Sequence, residues 1–351
     1  MLLNNQPKFR ARQLMQWLYV RSELDFNTMH TMPKALRAWL SSDFSTALPK
    51  VESEKVNPCG TIKWLLKFNE DDKANAVETV FIPEGKRGTL CISSQIGCAL
   101  ACQFCATGLV GFYRNLSCAE IIAQVYFARH VLKSRFAQLP AISNVVFMGM
   151  GEPLLNENNV FNAVRILLAD IGFNLSKHRV TVSTSGIVPA LERYIEQCDA
   201  ALAVSLHAPD ENKRSQIVPI NKKYTLDSLL QVCTKYAHTT KRSVTYEYVM
   251  LKDVNDKPSD ARALLRILSG HNAKVNMIPY NPVDGLIFAC STADAMDRFQ
   301  TILIKGGLRT TVRKTRGEDI NAACGQLYGR VLTRKTTIST NHYKHSTENS
   351  C

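Results

Sequence analysis

Cys98, Cys102 and Cys105 stand at C-x3-C-x2-C spacing, close enough for one short loop to turn three thiolates toward a single inorganic centre. Structural zinc takes four Cys or His ligands, and iron–sulfur cubanes usually take four cysteines, so a loop of three leaves one metal position open for a reactant. With four irons and three protein ligands, the open iron can hold a small chelating substrate. Three readings compete. Buried apolar cysteines fit neither the spacing nor the small residues around them. Zinc, with Cys91 or Cys118 as fourth ligand, lacks the paired second half-site usual in zinc fingers. A 4Fe–4S cluster with one free iron is favoured by the ligand count.

Such a loop needs a scaffold, and the chain supplies the pattern of one. Residues 8–21, KFRARQLMQWLYVR, place Phe9, Leu14, Trp17 and Leu18 at helical spacing, and Pro33 opens a second helical pattern, so residues 1–50 read as a small helical accessory domain. TIKWLLKF and NAVETVFI, separated by the turn-rich NEDDKA, read as a β-hairpin lead-in within 51–87. Ser117 and Glu120 form a capping box before IIAQVYFA. From GTLCIS onward, strand-like NVVFMG, RVTVST, ALAVSL, SVTYEYVML, KVNMIPY and LRTTVRK alternate with helical stretches across 88–330. This is an α/β chain with parallel strands and helices packed outside them. A partial barrel of about six βα units and an open doubly wound sheet both fit the periodicity. The barrel is favoured because Gly149, Gly151, Glu152, Ser183, Ser185, Ser205, His207 and Asn281 all fall at carboxyl ends of strands. Residues 331–351 are polar, Ser/Thr-rich and aperiodic, the pattern of a flexible tail.

The 351 residues, 45% of them hydrophobic, suffice for a large domain and a smaller one. Lysine and arginine outnumber aspartate and glutamate 43 to 30, a net charge of +13 that favours an acidic partner such as nucleic acid without establishing one. Eleven irregularly spaced cysteines suit a reducing cytoplasm better than a secreted disulfide framework. No segment reads as an export signal or a membrane span.

The aromatic Phe104 before Cys105 completes a pattern that resembles the radical S-adenosylmethionine (SAM) enzymes. ETVFIPE, TLCISSQIGCALACQFCATG, NVVFMGMGEPLLN, SLHAP, VPINKKY and TVRKTRGEDINAACGQL, together covering the chain from about Phe9 to Gly329, resemble the RlmN family of dual-specificity adenine-C2 methyltransferases. The resemblance implies a partial (β/α)6 TIM-like barrel. It also implies one 4Fe–4S cluster on Cys98, Cys102 and Cys105, with SAM on the fourth iron and two SAM molecules consumed per turnover. Adenine C2 lies between two ring nitrogens and is too electron-poor to attack a sulfonium methyl, so a radical route has a chemical reason.

By the same resemblance Cys324, in AACGQL, is a methyl carrier, and Cys91, in TLCISS, is the resolving thiol that forms a transient disulfide with it. Glu78, in VETV, matches the proton acceptor, with Cys91 a competing base. From the residue alone, a strand glutamate is more often a surface ion-pair partner. Gly151, Glu152, Ser183, Ser205, Leu206, His207 and Asn281 match the SAM contacts. The implied substrates are an adenosine of the peptidyl-transferase centre in 23S rRNA, protein-free or in an early assembly precursor, and the adenosine 3' to the anticodon of some tRNAs. An electron donor such as flavodoxin, a monomer and a cytoplasmic location follow.

An unstacked adenosine needs basic surface near the barrel mouth, and Lys177, Arg179, Lys222, Lys223, Arg313, Lys314 and Arg316 are the candidates. Two rivals remain. The sibling Cfr family methylates adenine C8, but Pro153 and Pro279 side with RlmN. A noncatalytic metal-stabilised RNA-binding module leaves Cys91, Cys324 and the βα series unexplained. Only seven residues precede KFRARQ, fewer than the family generally has, so a shortened helical domain or a truncated start is expected.

Overall fold

The computed structural model describes residues 6–68, 76–314 and 316–328. The expected NEDDKA turn and the polar tail 331–351 lie outside the described residues.

The chain begins with helix α1 (Lys8–Met15), a π-helical turn (Gln16–Val20), a short 3-10 turn (Phe26–Thr28) and α2 (Lys34–Asp43). Phe26, Met29, Met32, Leu36 and Leu40 form a small core of their own, against which Leu14, Trp17 and Leu18 pack. Phe9 departs from the helical reading: it is 53% exposed, with the Arg10 guanidinium 4.7 Å from its ring centroid. Arg129 holds the module to the main body by donating to the Tyr19 carbonyl at 2.9 Å.

The lead-in is larger than a hairpin. Strands β1 (Lys50–Val56), β2 (Ile62–Lys67), β3 (Val77–Glu84) and β4 (Arg87–Cys91) pair antiparallel in sequence. β1, KVESEKV, is a charged edge strand with no buried position, so it carries no alternation to read; lysines on such an edge also discourage pairing with another chain. Trp64 in β2 is fully buried, and its Nε1 donates to Glu54 Oε2 at 2.8 Å, so the ring is covered without stranding its polar atom.

β4 also starts the parallel part of the sheet. Strands β5 (Gln95–Gly97) and β6 (Phe112–Asn115) make a separate two-stranded ribbon. β4 is followed in space by β7 (Ile142–Phe147), β8 (Val180–Thr184), β9 (Ala201–Ser205), β10 (Val244–Met250), β11 (Ala273–Pro279) and β12 (Arg309–Val312). All these neighbours pair in parallel. Spatial order equals chain order and never reverses, which rules out the doubly wound alternative, whose order must switch direction. The connections are α3 (Ala106–Val110) with α4 (Cys118–Arg135), then α5 (Glu157–Leu168), α6 (Val188–Gln197), α7 (Glu211–Ile217) with α8 (Leu226–Thr240), α9 (Pro258–Leu268) and α10 (Ala293–Lys305). The result is a partial (β/α)6 barrel extended by one further strand, and among the described residues β12 does not pair back to β4.

The capping box at Ser117 and Glu120 is formed as expected and starts α4. From that helix the buried Gln124 reaches back to the sheet: its Oε1 accepts from Thr79 Oγ1 at 2.8 Å and Ser93 N at 2.9 Å, and its Nε2 donates to Ser93 O at 2.9 Å. After β12 the chain crosses over to the antiparallel strands. Asn57 Nδ2 donates to Asp319 Oδ1 at 3.0 Å, Lys63 Nζ to Asn321 O at 2.8 Å, and Arg316 Nη1 to Pro83 O at 2.7 Å. This strap ties the two ends of the sheet together through side chains. Among the described residues, no helix is long and apolar enough to cross a membrane.

Candidate active site

The cysteine loop hangs between the β5–β6 ribbon and α3. Gly97 makes the loop possible: its φ is +75°, and a Cβ there would lie 1.8 Å from the Gly111 carbonyl oxygen. Cys98 N donates to Gly111 O at 3.0 Å and Gln103 N to Ile217 O at 3.0 Å, while Ala106 N donates to Gly325 O at 2.7 Å. Thr107 Oγ1 adds a bond to Leu327 O at 2.7 Å. The loop is thus fixed on one side to the barrel and on the other to the strap.

The loop's chemistry suits an iron–sulfur cluster. Burial pushes the Cys98 thiol up to about 12, and nearby Glu152 and Cys105 add to that. The Cys102 thiol is pushed up by burial and then by the Cys105 and Cys98 sulfurs. Three soft donors on one short loop, two of them opposed in their ionisation by their neighbours, are a donor set that a polycationic centre satisfies. Among the described residues, no three His, Cys, Asp or Glu side chains converge on one point as single-ion ligands do, and a cubane with an iron at each corner does not require that they do.

Beside the loop is a cavity of about 150 Å³, lined by Cys105, Gly151, Glu152, Ser183, Ser205 and His207 among others. Apart from Cys105 of the loop, each lies at or just beyond the carboxyl end of β7, β8 or β9, as barrel chemistry requires. Gly151 has φ +94°, and a Cβ there would meet Gln95 Cβ at 2.5 Å, so the loop after β7 can close on β5 only with glycine. Glu152 is buried. Its Oε1 accepts from Leu154 N at 3.0 Å and its Oε2 from Ser185 N at 2.8 Å. Burial pushes its carboxyl above the usual range, opposed by those amides. A carboxylate has about four acceptor positions, so capacity remains for a ligand's ammonium group.

His207 has φ +60° and its Nδ1 accepts from Val249 N at 3.1 Å, which puts the neutral ring's proton on Nε2. Burial, then the Arg214 charge, pull its value down to about 3. Its ring meets Phe104 edge-on with centroids 4.7 Å apart, linking the β9 end to the cysteine loop.

The remaining expected residues are placed differently. Leu206 is fully buried and does not line the cavity; its backbone N donates to Glu247 O at 3.0 Å. Asn281 lines a second cavity, of about 450 Å³, that meets the first at Arg313 and Cys324. Its Nδ2 lies 3.5 Å from Cys324 O, and its Oδ1 is buried without a partner. Cys91 ends β4; burial and then the Cys324 sulfur push its thiol up to about 12, while Arg313 opposes them. The Cys324 sulfur therefore acts electrostatically on Cys91 across most of the sequence. Glu78, in β3, lines neither cavity. It pairs with Lys63 Nζ at 3.2 Å and accepts from Tyr328 N at 3.2 Å. It is a buried pair rather than the surface pair that a lone strand glutamate suggests.

The basic candidates divide. Lys177 and Arg179 precede β8, at the end away from the cavity, and Arg179 Nη1 donates to Asn144 Oδ1 at 2.9 Å. Arg316 serves the strap, and Arg313 turns inward, its Nη1 donating to Cys324 Sγ at 2.9 Å. Lys314 lines the larger cavity. Two further residues carried no sequence signal. Glu247, mid-β10, is a buried carboxylate in the first cavity. Arg214, in α7, is 1% exposed and donates to the carbonyls of Leu206 (3.1 Å), Ser185 (2.8 Å) and Ser205 (3.1 Å) and to Asn221 Oδ1 (2.5 Å).

Known proteins share this arrangement. A model of the radical SAM superfamily matches residues 92–265, and a model of the ribosomal RNA large subunit methyltransferase N-terminal domain matches residues 3–45. A radical SAM methyltransferase from Sphaerobacter thermophilus has a TM-score of 0.86 and 40% identity, covering 93% of this chain and 95% of its own. Fold and site define a radical SAM methyltransferase. Proteins described as dual-specificity RNA methyltransferase RlmN match along almost the whole length. The one from Ruthia magnifica subsp. Calyptogena magnifica is 50% identical over 343 residues, 97% of this chain and 94% of its own. The one from Marinobacter nauticus is 47% identical over 331 residues, 94% and 89% of the two chains. The chain belongs to the RlmN family of radical SAM enzymes, which brings with it an iron–sulfur cluster and SAM. A noncatalytic metal-stabilised module is set aside by that membership.

Proposed function

We propose that this enzyme methylates C2 of an adenosine in 23S rRNA, at the peptidyl-transferase centre, and of the adenosine 3' to the anticodon in some tRNAs. The observation that carries the reading is Cys324, placed where the two cavities meet with the Arg313 guanidinium on its sulfur and within electrostatic range of Cys91. A single-step methyl transfer needs no such pair.

Cys98, Cys102 and Cys105 would hold a 4Fe–4S cluster, and Glu152, Ser183, Ser205 and His207 line the space for SAM. When bound, the cluster supplies the electron that cleaves SAM to a carbon radical. The protein's own part begins at Cys324, whose sulfur takes a methyl group from a first SAM. That methyl then loses a hydrogen atom to the SAM-derived carbon radical, its carbon bonds to adenine C2 and joins enzyme to RNA, and the adduct's unpaired electron would return to the cluster. Glu78 or Cys91 then removes the C2 proton. The Cys91 thiolate attacks the Cys324 sulfur, a disulfide forms as the sulfur–carbon bond breaks with its pair on the carbon, and that carbon takes up a proton so that methylated RNA leaves. Asn281 reaches the site through the Cys324 carbonyl, and Leu206 through its backbone.

Residues 1–50 fit an RNA-docking role, with 51–87 as lead-in and 88–330 as the catalytic barrel. The large cavity with Lys314 at its wall is the basic approach to Cys324. Precursor rRNA or free tRNA, a flavodoxin-type electron donor, a monomeric state and a cytoplasmic location complete the proposal. Mass spectrometry of rRNA and tRNA treated with reconstituted enzyme tests it. A methyl group at adenine C2 is expected; one at C8 would assign the enzyme to the Cfr chemistry instead.

A further inference from the structure

Arg313 follows β12, where its backbone N–H donates to Met277 O at 2.8 Å. Its guanidinium lines both cavities and donates to Cys324 Sγ at 2.9 Å. The groups acting on that sulfur besides burial are Arg313, Glu247 and Cys105, and Cys91 faces Arg313 as well. Of these, Arg313 alone is a cation. Glu247 is buried and accepts from Asn276 Nδ2 at 2.7 Å, so it is held near the guanidinium on one side while Cys324 takes the other.

An uncharged thiol gains little from a guanidinium N–H, whereas a thiolate gains a charge-assisted hydrogen bond. We propose that Arg313 is a further catalytic residue, whose Nη1–H holds the Cys324 sulfur as the anion that accepts the methyl group. This rests on the reading of Cys324 as methyl carrier. The thiol proton leaves to water beforehand. In the transfer, the sulfur's electron pair forms the new S–C bond, and the broken sulfonium–methyl bond leaves its pair on S-adenosylhomocysteine. Burial pushes the Cys324 thiol up and Arg313 pulls it down, in keeping with a guanidinium that offsets the cost of a buried anion.

The test alkylates anaerobic holoenzyme with iodoacetamide, without SAM or RNA, and follows Cys324 by peptide mass spectrometry across a pH series, with exposed Cys59 as reference. Arg313→Gln is expected to slow Cys324 alkylation about tenfold at neutral pH and move the midpoint of its pH profile up by about one unit. Arg313→Lys should restore most of the rate. Faster alkylation at every pH with an unmoved midpoint, the sign of a merely loosened strap, would overturn the proposal. Methylation of Cys324 by SAM is followed in parallel. An unchanged alkylation profile in Arg313→Gln, with Cys324 still methylated, defeats Arg313 alone. A wild-type Cys324 that takes no methyl from SAM, while its alkylation still depends on Arg313, defeats the carrier reading instead.

Discussion

The backbone N–H of Tyr328 donates to Glu78 Oε2 at 3.2 Å, so a residue near the end of the described chain meets a carboxylate in the third strand. Glu78 also pairs with Lys63 Nζ at 3.2 Å, both side chains being about nine-tenths buried. Burial raises the Glu78 carboxyl and Lys63 lowers it.

Removing the cation alone should therefore cost more than removing the pair. Lys63→Met leaves an uncompensated buried carboxylate and is expected to destabilise by about 3 kcal/mol in urea unfolding. Adding Glu78→Gln to that variant should recover part of the loss. Equal stability of Lys63→Met and wild type would show that the pair is solvated.

Glu78→Gln also separates the two candidate bases. If Glu78 takes the C2 proton, the variant accumulates an RNA–protein adduct on denaturing gels, and release of methylated RNA at the wild-type rate would assign the proton to Cys91. Cys91→Ala is expected to trap the adduct too, because the resolving thiolate is gone; product at wild-type yield would remove that role.

Arg214 is a buried cation spent on the backbone. Three of its four acceptors are carbonyls at the ends of β8 and β9, where Ser183 and Ser205 face the cavity. Arg214→Met strands those carbonyls, at a cost of about 1–3 kcal/mol for each one left unsatisfied. Calorimetry should show weaker SAM binding than in wild type, because the strand ends lose their common tie. Wild-type affinity and stability would mean that water replaces the guanidinium.

His207 gives a pH signature. Its value falls from the ordinary 6.5 to about 3, so between these limits the unfolded chain binds a proton that the folded chain does not. Stability contributed by the neutral ring is complete above the unfolded value and is lost as the pH falls. Acidification from pH 7 to 5 should cost about 2 kcal/mol through this residue. Buried Glu152 and Glu247, with raised values, tilt the curve the opposite way, so the comparison with His207→Asn isolates the histidine. Parallel curves for the two proteins would refute the assignment.

The parallel strands and their helices were legible because each is a short apolar run between turns. The positions at their carboxyl ends followed from the fold. β1 was not legible, since an exposed charged edge has no buried face to alternate. Arg313 read as basic surface and Arg214 gave no signal, because a lysine- and arginine-rich sequence does not say which few side chains point inward. Glu247 lies inside a strand whose other residues are buried too, and a barrel's interior looks like any core until the cavity is seen. Cys324 itself became readable only through AACGQL and family resemblance; nothing local announces a partner in β4.

The strap has a consequence for how the enzyme comes into being. Residues 98–105 leave the ribosome long before residues 316–328, which supply Ala106 and Thr107 with their partners and lay Cys324 over the cavity. Domains begin folding from the N-terminal side during synthesis. The cup around the three cysteines therefore stands uncovered while most of the barrel is still being made, and only the last part of translation puts the strap, with Cys324, in place.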